Sequence, residues 1–225
     1  MKYAIAIDGP AGAGKSTIAK LLAKQLDILY LDTGSMYRAV GLKALYQGID
    51  PKDKDAVSKM VESIDIKVKY HDKKQYIFLD QIDVSDKIRT SEVSMAASHV
   101  AVIKYVRLKM VELQRRIAQK QSLIMDGRDI GTYVLPDAKY KFYITASPEE
   151  RAKRRYLEMT NNGSKNISYN EILNDIIYRD KNDSSREFAP LKQADDAVLI
   201  DTTNFTVDEV LQTVLSYINI LDTEK

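Results

Sequence analysis

A glycine-rich segment near the start of the chain, residues 9–16, constrains the fold more than any other feature. It reads Gly-Pro-Ala-Gly-Ala-Gly-Lys-Ser and fits the pattern G-x-x-x-x-G-K-[ST]. The apolar run Tyr3–Ile7 before it predicts a buried strand, and Thr17–Leu26 after it has the apolar spacing of a helix. A strand, a tight glycine-rich turn and a helix in this order predict an α/β fold whose first loop wraps a phosphate group.

The chemistry of this loop follows from its residue types. Glycines let the backbone direct N–H groups toward phosphate oxygens, and the start of the helix adds partial positive charge. Lys15 is expected to reach the β- and γ-phosphate oxygens, and the Ser16 hydroxyl to bind Mg²⁺. The alternative, a Gly/Ala-rich turn that caps an ordinary helix, is disfavoured by the flanking strand and helix. The sequence therefore predicts a nucleoside triphosphate site formed by Gly9, Pro10, Ala11, Gly12, Ala13, Gly14, Lys15, Ser16 and Thr17.

Composition limits what surrounds this site. A chain of 225 residues with 44% hydrophobic and 29% charged residues predicts one globular domain, with room for inserted lobes. It has no cysteine, and His71 and His99 are too few for an imidazole metal cage, so we expect a cytoplasmic protein without a thiolate or imidazole metal centre. We expect no targeting or membrane segment, and the net charge of +2 argues against a general nucleic-acid binder.

Short apolar runs alternate with helical periodicity along the chain, as an α/β sheet requires. Strands are predicted at Tyr3–Ile7, Ile28–Leu31, Ser122–Met125, Tyr140–Ile144 and Ala197–Ile200, and helices at Met36–Gln47, Tyr105–Gln119, Pro148–Thr160, Tyr169–Asp180 and Val207–Leu221. Ligands of open parallel sheets bind at the carboxyl ends of the strands. We therefore expect Asp8, Asp32 and Asp126, which follow three of the strands, to converge near the phosphates.

Two segments depart from this rhythm. Residues Asp65–Val84 contain three short strand-like runs and the polar turn His71–Lys74, which predicts a small antiparallel sheet inserted in the core. The polar run Thr160–Asn166 predicts a mobile loop.

Arginines cluster just before that loop, at Arg151, Arg154 and Arg155. A spacing of four places Arg151 and Arg155 on one helix face. For an isolated run a solvated basic face would be the simpler interpretation. Beside a phosphate-binding loop, however, such arginines can close over the nucleotide and neutralise a transferring phosphoryl group.

A second set of polar residues follows other predicted elements. Residues 32–38, 126–129 and 179–186 each place arginine beside carboxylate or hydroxyl side chains. Guanidinium groups bind phosphate bidentately, while carboxylates accept from hydroxyl or amino groups. Each set could be a structural ion pair, but together they exceed the needs of one triphosphate and favour a second anionic substrate with a sugar and a polar ring.

The chain resembles the bacterial cytidylate kinases, which are P-loop kinases of nucleoside monophosphates. The resemblance rests on I-D-G-P-A-G-A-G-K-S-T, L-D-T-G-S-M-Y-R, I-R-T-S-E-V-S, D-G-R-D-I-G-T, E-E-R-A-K-R-R and the segment from Arg179 to Leu191, and it extends nearly end to end. It implies the three-layer P-loop NTPase fold with a central parallel sheet, a small antiparallel β lobe and a helical lid. The implied division is a core of residues 1–32, 105–150 and 187–225, a CMP-binding lobe of residues 33–104 with the insert near 65–84, and a lid of residues 151–186.

The resemblance also implies a role for individual residues. Lys15, Arg128, Arg151 and Arg155 would be catalytic, with Arg154 in the lid, and Asp126 would orient Mg²⁺ through water beside Ser16. The monophosphate would be held by Thr33, Arg38, Arg128 and Arg186. The cytosine edge would be read by Ser98, Arg107 and Asp129, and the sugar hydroxyls by Arg179 and Asp183.

The predicted reaction is transfer of the γ-phosphoryl group of ATP to CMP or dCMP, with Mg²⁺ and small-molecule partners only, by a protein expected to be a monomer. The alternative is another P-loop small-molecule kinase with UMP, another nucleoside monophosphate or a shikimate-like acceptor. A GTPase is disfavoured because no N-K-x-D guanine reader is present. A nucleic-acid-dependent ATPase is disfavoured because no basic stripe with aromatics is present.

Overall fold

The central sheet of the protein has five parallel strands. The computed structural model describes residues 2–161, 163 and 168–223. The strands are β1 (Ala4–Asp8), β2 (Leu29–Asp32), β6 (Leu123–Gly127), β7 (Tyr140–Thr145) and β8 (Val198–Asp201), and their order across the sheet is β2-β6-β1-β7-β8. All four strand pairs are parallel, which confirms the predicted α/β class and all five predicted strands to within one or two residues.

Eight α-helices surround the strands within the described ranges. They are α1 (Lys15–Gln25), α2 (Thr33–Tyr46), α3 (Lys54–Glu62), α4 (Ser91–Val100), α5 (Lys104–Ala118), α6 (Pro148–Asn161), α7 (Tyr169–Ser184) and α8 (Val207–Thr223). The helices α3 and α4 were not predicted. The helix α2 begins three residues earlier than predicted, because the Asp32 side chain caps it by accepting from Ser35 N at 3.0 Å.

The sheet separates two apolar layers. Ala6, Leu31 and Met125 face a cluster formed with α2, α3, α4 and α5. Ile5, Ile7 and Ile124 face the other way, into a cluster formed with α1 and α8. Because successive side chains of a strand point to opposite faces, each buried strand supplies both layers. The result is a helix–sheet–helix arrangement with the carboxyl ends of all five strands at one edge.

The predicted antiparallel insert is present. It consists of β3 (Ile66–His71), β4 (Lys74–Leu79) and β5 (Ile82–Asp83), paired in that order. The turn between β3 and β4 places Asp72 at φ 48° and Lys73 at φ 60°, the conformation of a tight two-residue hairpin turn. Ile77 and Leu79 of β4 are buried in the same cluster as Leu31 of the central sheet. The insert is therefore packed onto the core.

The loop predicted at residues 160–166 begins inside α6. Thr160 and Asn161 close α6, and Asn162 and residues 164–166 of the predicted loop lie outside the described residues. The division into core, CMP-binding lobe and lid stays a prediction. Among the described helices none is long and apolar enough to cross a membrane.

Candidate active site

The glycine-rich loop occupies the turn between β1 and α1, as the sequence predicts. Gly9 has φ +142°, and a Cβ at this position would lie 1.9 Å from the carbonyl oxygen of Ile144 in β7. Only glycine fits this close approach. Gly14 has φ +88° and precedes the first residue of α1, and its carbonyl oxygen accepts from the N–H groups of Thr17 and Ile18 at 3.1 Å. The loop thus ends on the open N-terminus of a helix, where anions bind.

Lys15, the first residue of α1, is buried at the N-terminus of this helix. Its Nζ donates a hydrogen bond of 2.6 Å to the carbonyl oxygen of Pro10, within the loop itself. Burial, followed by the nearby charge of Arg128, lowers the pKa of Lys15 to about 7. An anion bound beside Nζ would oppose both effects and raise this pKa. A bound phosphate would therefore favour the charged form of Lys15.

Ser16 and Asp126 meet beside Lys15. The Ser16 hydroxyl donates to Asp126 Oδ2 at 2.7 Å, and the Tyr30 hydroxyl donates to Oδ1 at 2.9 Å. Burial and the neighbouring charge of Asp32 raise the pKa of the Asp126 carboxyl group. One hydroxyl and one carboxylate, with a second carboxylate near, form the oxygen-rich environment that suits Mg²⁺.

Asp8 departs from the predicted convergence of three acids. Asp32 and Asp126 line the cavity described below, but the Asp8 carboxylate accepts from the N–H groups of Ile130 and Gly131, at 2.8 and 2.7 Å. Burial is the main reason that its pKa is raised to about 6. Asp8 therefore fixes the loop that follows β6 and does not face the cavity.

A cavity of about 370 Å³ lies at the carboxyl ends of β1, β2 and β6. Its walls bring together residues from the phosphate-binding loop, α2, α4, α5, the end of β6, α6 and α7. Of the predicted site residues, those that line it are Ala11, Gly12, Lys15, Ser16, Thr33, Arg38, Ser98, Arg107, Asp126, Arg128, Asp129, Arg155, Arg179, Asp183 and Arg186. The remaining loop residues Gly9, Pro10, Ala13, Gly14 and Thr17 do not line this cavity.

Acidic residues pair with four of the cavity arginines besides Arg155, which is described below. Arg38 pairs with Asp32 at 2.6 Å. Arg107 and Asp129 form a buried ion pair. The remaining two share one acid: Asp183 accepts from Arg128 Nε at 2.7 Å and lies 3.5 Å from Arg186 Nη1. Although burial opposes it, the charges of Arg128 and Arg186 lower the pKa of Asp183. Asp183 lies in α7, which continues past the predicted end at Asp180.

Several buried guanidinium nitrogens of these arginines have no hydrogen-bond partner within the described part of the chain. They are Nε of Arg38, Arg107 and Arg179, and both Nε and Nη2 of Arg186. Burial lowers the pKa values of Arg179 and Arg186, although both remain cations at neutral pH. Leaving buried donors unpaired is costly, so this wall of the cavity is built to receive acceptor groups.

Two predicted site hydroxyls are already hydrogen-bonded. The Thr33 hydroxyl donates to the Asp126 carbonyl oxygen at 2.7 Å. The Ser98 hydroxyl oxygen accepts from Nδ2 of Asn182 at 3.0 Å, which leaves the Ser98 proton for another acceptor. Asn182 thus ties α4 to α7 at the edge of the cavity.

The three arginines of α6 have different environments. Arg151 is 3% exposed and does not line the cavity; it donates to Ala146 O at 2.8 Å, to Ala11 O at 3.0 Å and to Asp180 Oδ2 at 2.6 Å. Arg154 donates to the hydroxyl and carbonyl oxygens of Thr202, beyond β8. Only Arg155 lines the cavity, where it pairs with Glu158 at 2.8 Å. Direct contact of Arg151 with a nucleotide stays a prediction, and its partners here give it a loop-holding position.

Comparison with known proteins assigns the chain to a family. A sequence model of the cytidylate kinases matches residues 5–220. The chain belongs to the cytidylate kinase family. It is 53% identical over 214 residues to the cytidylate kinase of Caldicellulosiruptor bescii, covering 95% of this chain and 94% of that one. It is 54% identical over 216 residues to the cytidylate kinase of Clostridioides difficile, covering 96% and 98%.

Solved structures support the fold at low sequence identity. A crystal structure of an uncharacterized protein from Eubacterium ventriosum aligns with a TM-score of 0.53, at 17% identity, over 97% of this chain and 99% of that one. This likeness concerns the fold alone. The predicted fold class is therefore confirmed. Most of the predicted site residues line one cavity, and their individual roles stay predictions.

Sequence reasoning missed Tyr37. This residue of α2 lines the cavity, and its hydroxyl has no hydrogen-bond partner in the described ranges. The Arg107 guanidinium lies 5.5 Å from the centre of its ring, and burial is the main reason that the Tyr37 pKa is raised to about 12. The tyrosine precedes Arg38 directly, but nothing in the sequence indicated that its side chain would line a site.

Proposed function

We propose that the protein transfers the γ-phosphoryl group of ATP to CMP or dCMP, giving ADP and CDP or dCDP. The observation that carries this proposal is one cavity with a phosphate-binding lysine on one side and unpaired buried guanidinium donors on the other. Two anionic substrates can meet there at their phosphates. The printed names of the relatives, cytidylate kinase, indicate the acceptor.

The ATP half of the site is assigned to the loop and α1. Backbone N–H groups of residues 9–17 would surround the phosphates, and Lys15 would exchange its contact with Pro10 O for the β- and γ-phosphate oxygens. Ser16 and Asp126 are the residues that would hold Mg²⁺, Asp126 through water, because their oxygens already share a 2.7 Å contact. The chemistry that a bound Mg²⁺ supplies is neutralisation of charge on the β- and γ-phosphate oxygens.

The acceptor half is assigned to the opposite wall. Arg38, Arg128 and Arg186 would bind the monophosphate, with Thr33 beside them. The free donors of Arg38 and Arg186 support this assignment.

Sugar and base would lie further along the same wall. Arg179 and Asp183 are assigned to the sugar hydroxyls. Ser98, Arg107 and Asp129 are assigned to the cytosine edge, because a carboxylate accepts from the exocyclic amino group while serine and arginine donate to O2 and N3. The buried pairing of Arg107 with Asp129 supports a rigid base-reading group.

The reaction needs no covalent intermediate and no general base, because the attacking phosphate oxygen already carries charge. The protein would accelerate the reaction by aligning the two phosphates and by placing positive charges around the transferring group. Lys15, Arg128 and Arg155 line the cavity where that charge develops. Arg151 would act from behind, through its hydrogen bond to Ala11 O. Closure of residues 151–186 over the nucleotide would keep water from the γ-phosphate.

The proposal extends to the cellular location, oligomeric state and partners of the enzyme. Absence of cysteine from the sequence supports a reducing cytoplasm, and we expect a monomer that binds small molecules only. The core, CMP-binding lobe and lid are proposed with the boundaries given above.

An ADP-release assay with several acceptors tests the function. We expect turnover with CMP and dCMP to exceed that with UMP, AMP, dTMP and shikimate by at least about tenfold, since each unmatched buried polar contact costs about 1–3 kcal/mol. Preferred turnover of shikimate or AMP would reject the assignment of the acceptor. ADP release that is independent of any acceptor would reject transfer in favour of hydrolysis.

A further inference from the structure

The strand β2 lies at one edge of the central sheet and pairs only with β6 among the described strands. An edge strand has one row of backbone N–H and C=O groups without a strand partner. In β2 this row contains the carbonyl oxygen of Tyr30 and both backbone groups of Asp32. Asp32 also caps α2 and pairs with Arg38. The free edge therefore ends at a residue that positions a cavity arginine.

Two side chains of the β insert take the place of the missing strand. The Tyr70 hydroxyl, on β3, donates to the Tyr30 carbonyl oxygen at 3.2 Å. Gln75, on β4, accepts from Asp32 N at 2.8 Å through Oε1 and donates from Nε2 to the Asp32 carbonyl oxygen at 3.3 Å. Tyr70 and Gln75 are directly paired across the hairpin. This one pair therefore binds Tyr30 and Asp32, two alternate residues of the edge strand.

Gln75 makes a further contact inside the first turn of α2. Its Nε2 donates to the Ser35 Oγ at 2.7 Å, and the Ser35 hydroxyl donates to the Asp32 carbonyl oxygen at 2.6 Å. The glutamine amide is therefore used as both donor and acceptor, and both functions converge on the turn from Asp32 to Ser35. No other residue type has this donor–acceptor pair at the same reach.

We propose that Tyr70 and Gln75 form a clip that positions the Asp32–Arg38 pair for the monophosphate acceptor. The clip couples the β insert to the acceptor half of the site through side-chain hydrogen bonds. Gln75 is a positioning residue: it acts through Asp32, whose carboxylate holds Arg38 at 2.6 Å. Side-chain contacts can break and reform without loss of the sheet, unlike a full strand pairing. The proposal deepens the proposed function and rests on it.

The clip differs in its exposure to solvent from the ion pair at the tip of the hairpin. Lys73 pairs with Asp27 at the tip of the hairpin, but the two side chains are 55% and 85% exposed. Exposed ion pairs contribute little and weaken with salt. Gln75 and Tyr70 are partly buried, so their hydrogen bonds are shielded from that competition.

The test compares Gln75→Ala and Tyr70→Phe with two control variants, Gln212→Ala on the exposed face of α8 and Lys67→Ala on the exposed face of β3. We expect Gln75→Ala to raise the KM for CMP about fivefold to twentyfold and Tyr70→Phe to raise it less, while the KM for ATP stays within about twofold of wild type. Both control variants should match wild type. Equal increases for both substrates in Gln75→Ala would overturn the proposal, because a merely structural residue does not select the acceptor.

Amide hydrogen exchange provides a readout that does not depend on activity. Gln75 is the acceptor that the structure gives the Asp32 N–H, so Asp32 should exchange at least about tenfold faster in Gln75→Ala and unchanged in Gln212→Ala. Unchanged exchange in Gln75→Ala would also overturn the clip. A wild-type protein that does not phosphorylate CMP would instead reject the proposed function, and the exchange result would still decide whether Gln75 holds Asp32.

Discussion

The Ser16 hydroxyl donates a hydrogen bond of 2.7 Å to Asp126, a residue 110 positions later in the chain. The contact joins the first turn of α1 to the carboxyl end of β6. It exists because β1 and β6 are neighbouring parallel strands, whose carboxyl ends lie side by side. Lys15 lies next to it with its ammonium group in the loop, so one small region contains the residues assigned to the ATP phosphates and Mg²⁺.

Replacement of Lys15 by alanine should abolish phosphoryl transfer while the fold remains. A charge-assisted donor to the transferring group contributes several kcal/mol to transition-state stabilisation, so turnover should fall by about a thousandfold or more. Initial rates with ATP and CMP measure the loss, and thermal unfolding checks the fold. Lys20→Ala, an exposed position on α1, is the control and should retain activity. Near wild-type turnover in folded Lys15→Ala would sink the phosphate-loop assignment.

ATP binding should take up a proton at Lys15. In the free protein the pKa of Lys15 is lowered to about 7, so at pH 8 most of the lysine is neutral. Bound phosphates favour the charged form and raise this pKa again. ATP binding at pH 8 therefore takes up about 0.9 proton per site, and the affinity for ATP weakens as pH rises above 7.

Calorimetry in buffers of different ionisation enthalpy measures this uptake. In Lys15→Arg the cation is always protonated, so the variant should bind ATP at pH 8 without that proton. Equal proton uptake by Lys15→Arg and wild type would show that another group titrates.

Substitution of Asp129 tests whether this residue recognises the cytosine base. It pairs with Arg107, whereas the adjacent Arg128 pairs with Asp183. Asparagine is the suitable substitution, because its amide oxygen can still accept a hydrogen bond from Arg107, which alanine cannot. Either substitution removes the counter-charge of a buried cation, so folding stability is measured alongside activity. Asp129→Asn should lose much more activity with CMP than with UMP, narrowing the preference about tenfold to a hundredfold.

Steady-state kinetics with both acceptors decides the role of Asp129. Asp195→Asn, at a 98% exposed side chain, is the matched control. Equal losses with CMP and UMP in Asp129→Asn would assign Asp129 to the support of Arg107, and base recognition would then rest on Ser98 and Arg107.

Two arginines of one helix should respond differently to alanine substitution. Arg151→Ala removes three hydrogen bonds from a 3% exposed side chain and should lower the free energy of unfolding by about 3 kcal/mol. Arg155→Ala removes a half-exposed ion pair and should change stability by less than about 0.5 kcal/mol while lowering turnover with ATP.

Denaturant unfolding and kinetics of the two variants separate these effects. Arg116→Ala, at an exposed position of α5, should change neither quantity. An Arg151→Ala variant that is fully stable but inactive would return Arg151 to direct contact with the nucleotide. An unfolded Arg155→Ala variant would contradict the minor structural part given to Arg155.

The sequence by itself determined the class of the fold and the first half of the site. Gly9 and Gly14 occur where positive φ angles are required, and apolar runs of strand length precede Asp8 and Asp32. These features are local: a strand, a turn and a helix start are set by residues within a few positions of one another. The β insert was predictable for the same reason, since its alternation and its polar turn lie within twenty residues.

Only the tertiary structure decided which polar groups meet. Arg128 pairs with Asp183 rather than with adjacent Asp129, Arg151 turns to the loop at Ala11, and Gln75 binds Asp32. Each contact joins residues 40 to 140 positions apart. A hydrogen bond is lost when the distance between donor and acceptor grows by a few tenths of an ångström. Periodicity in the sequence specifies which face of an element is buried, but the partner of a buried polar group depends on how the elements pack.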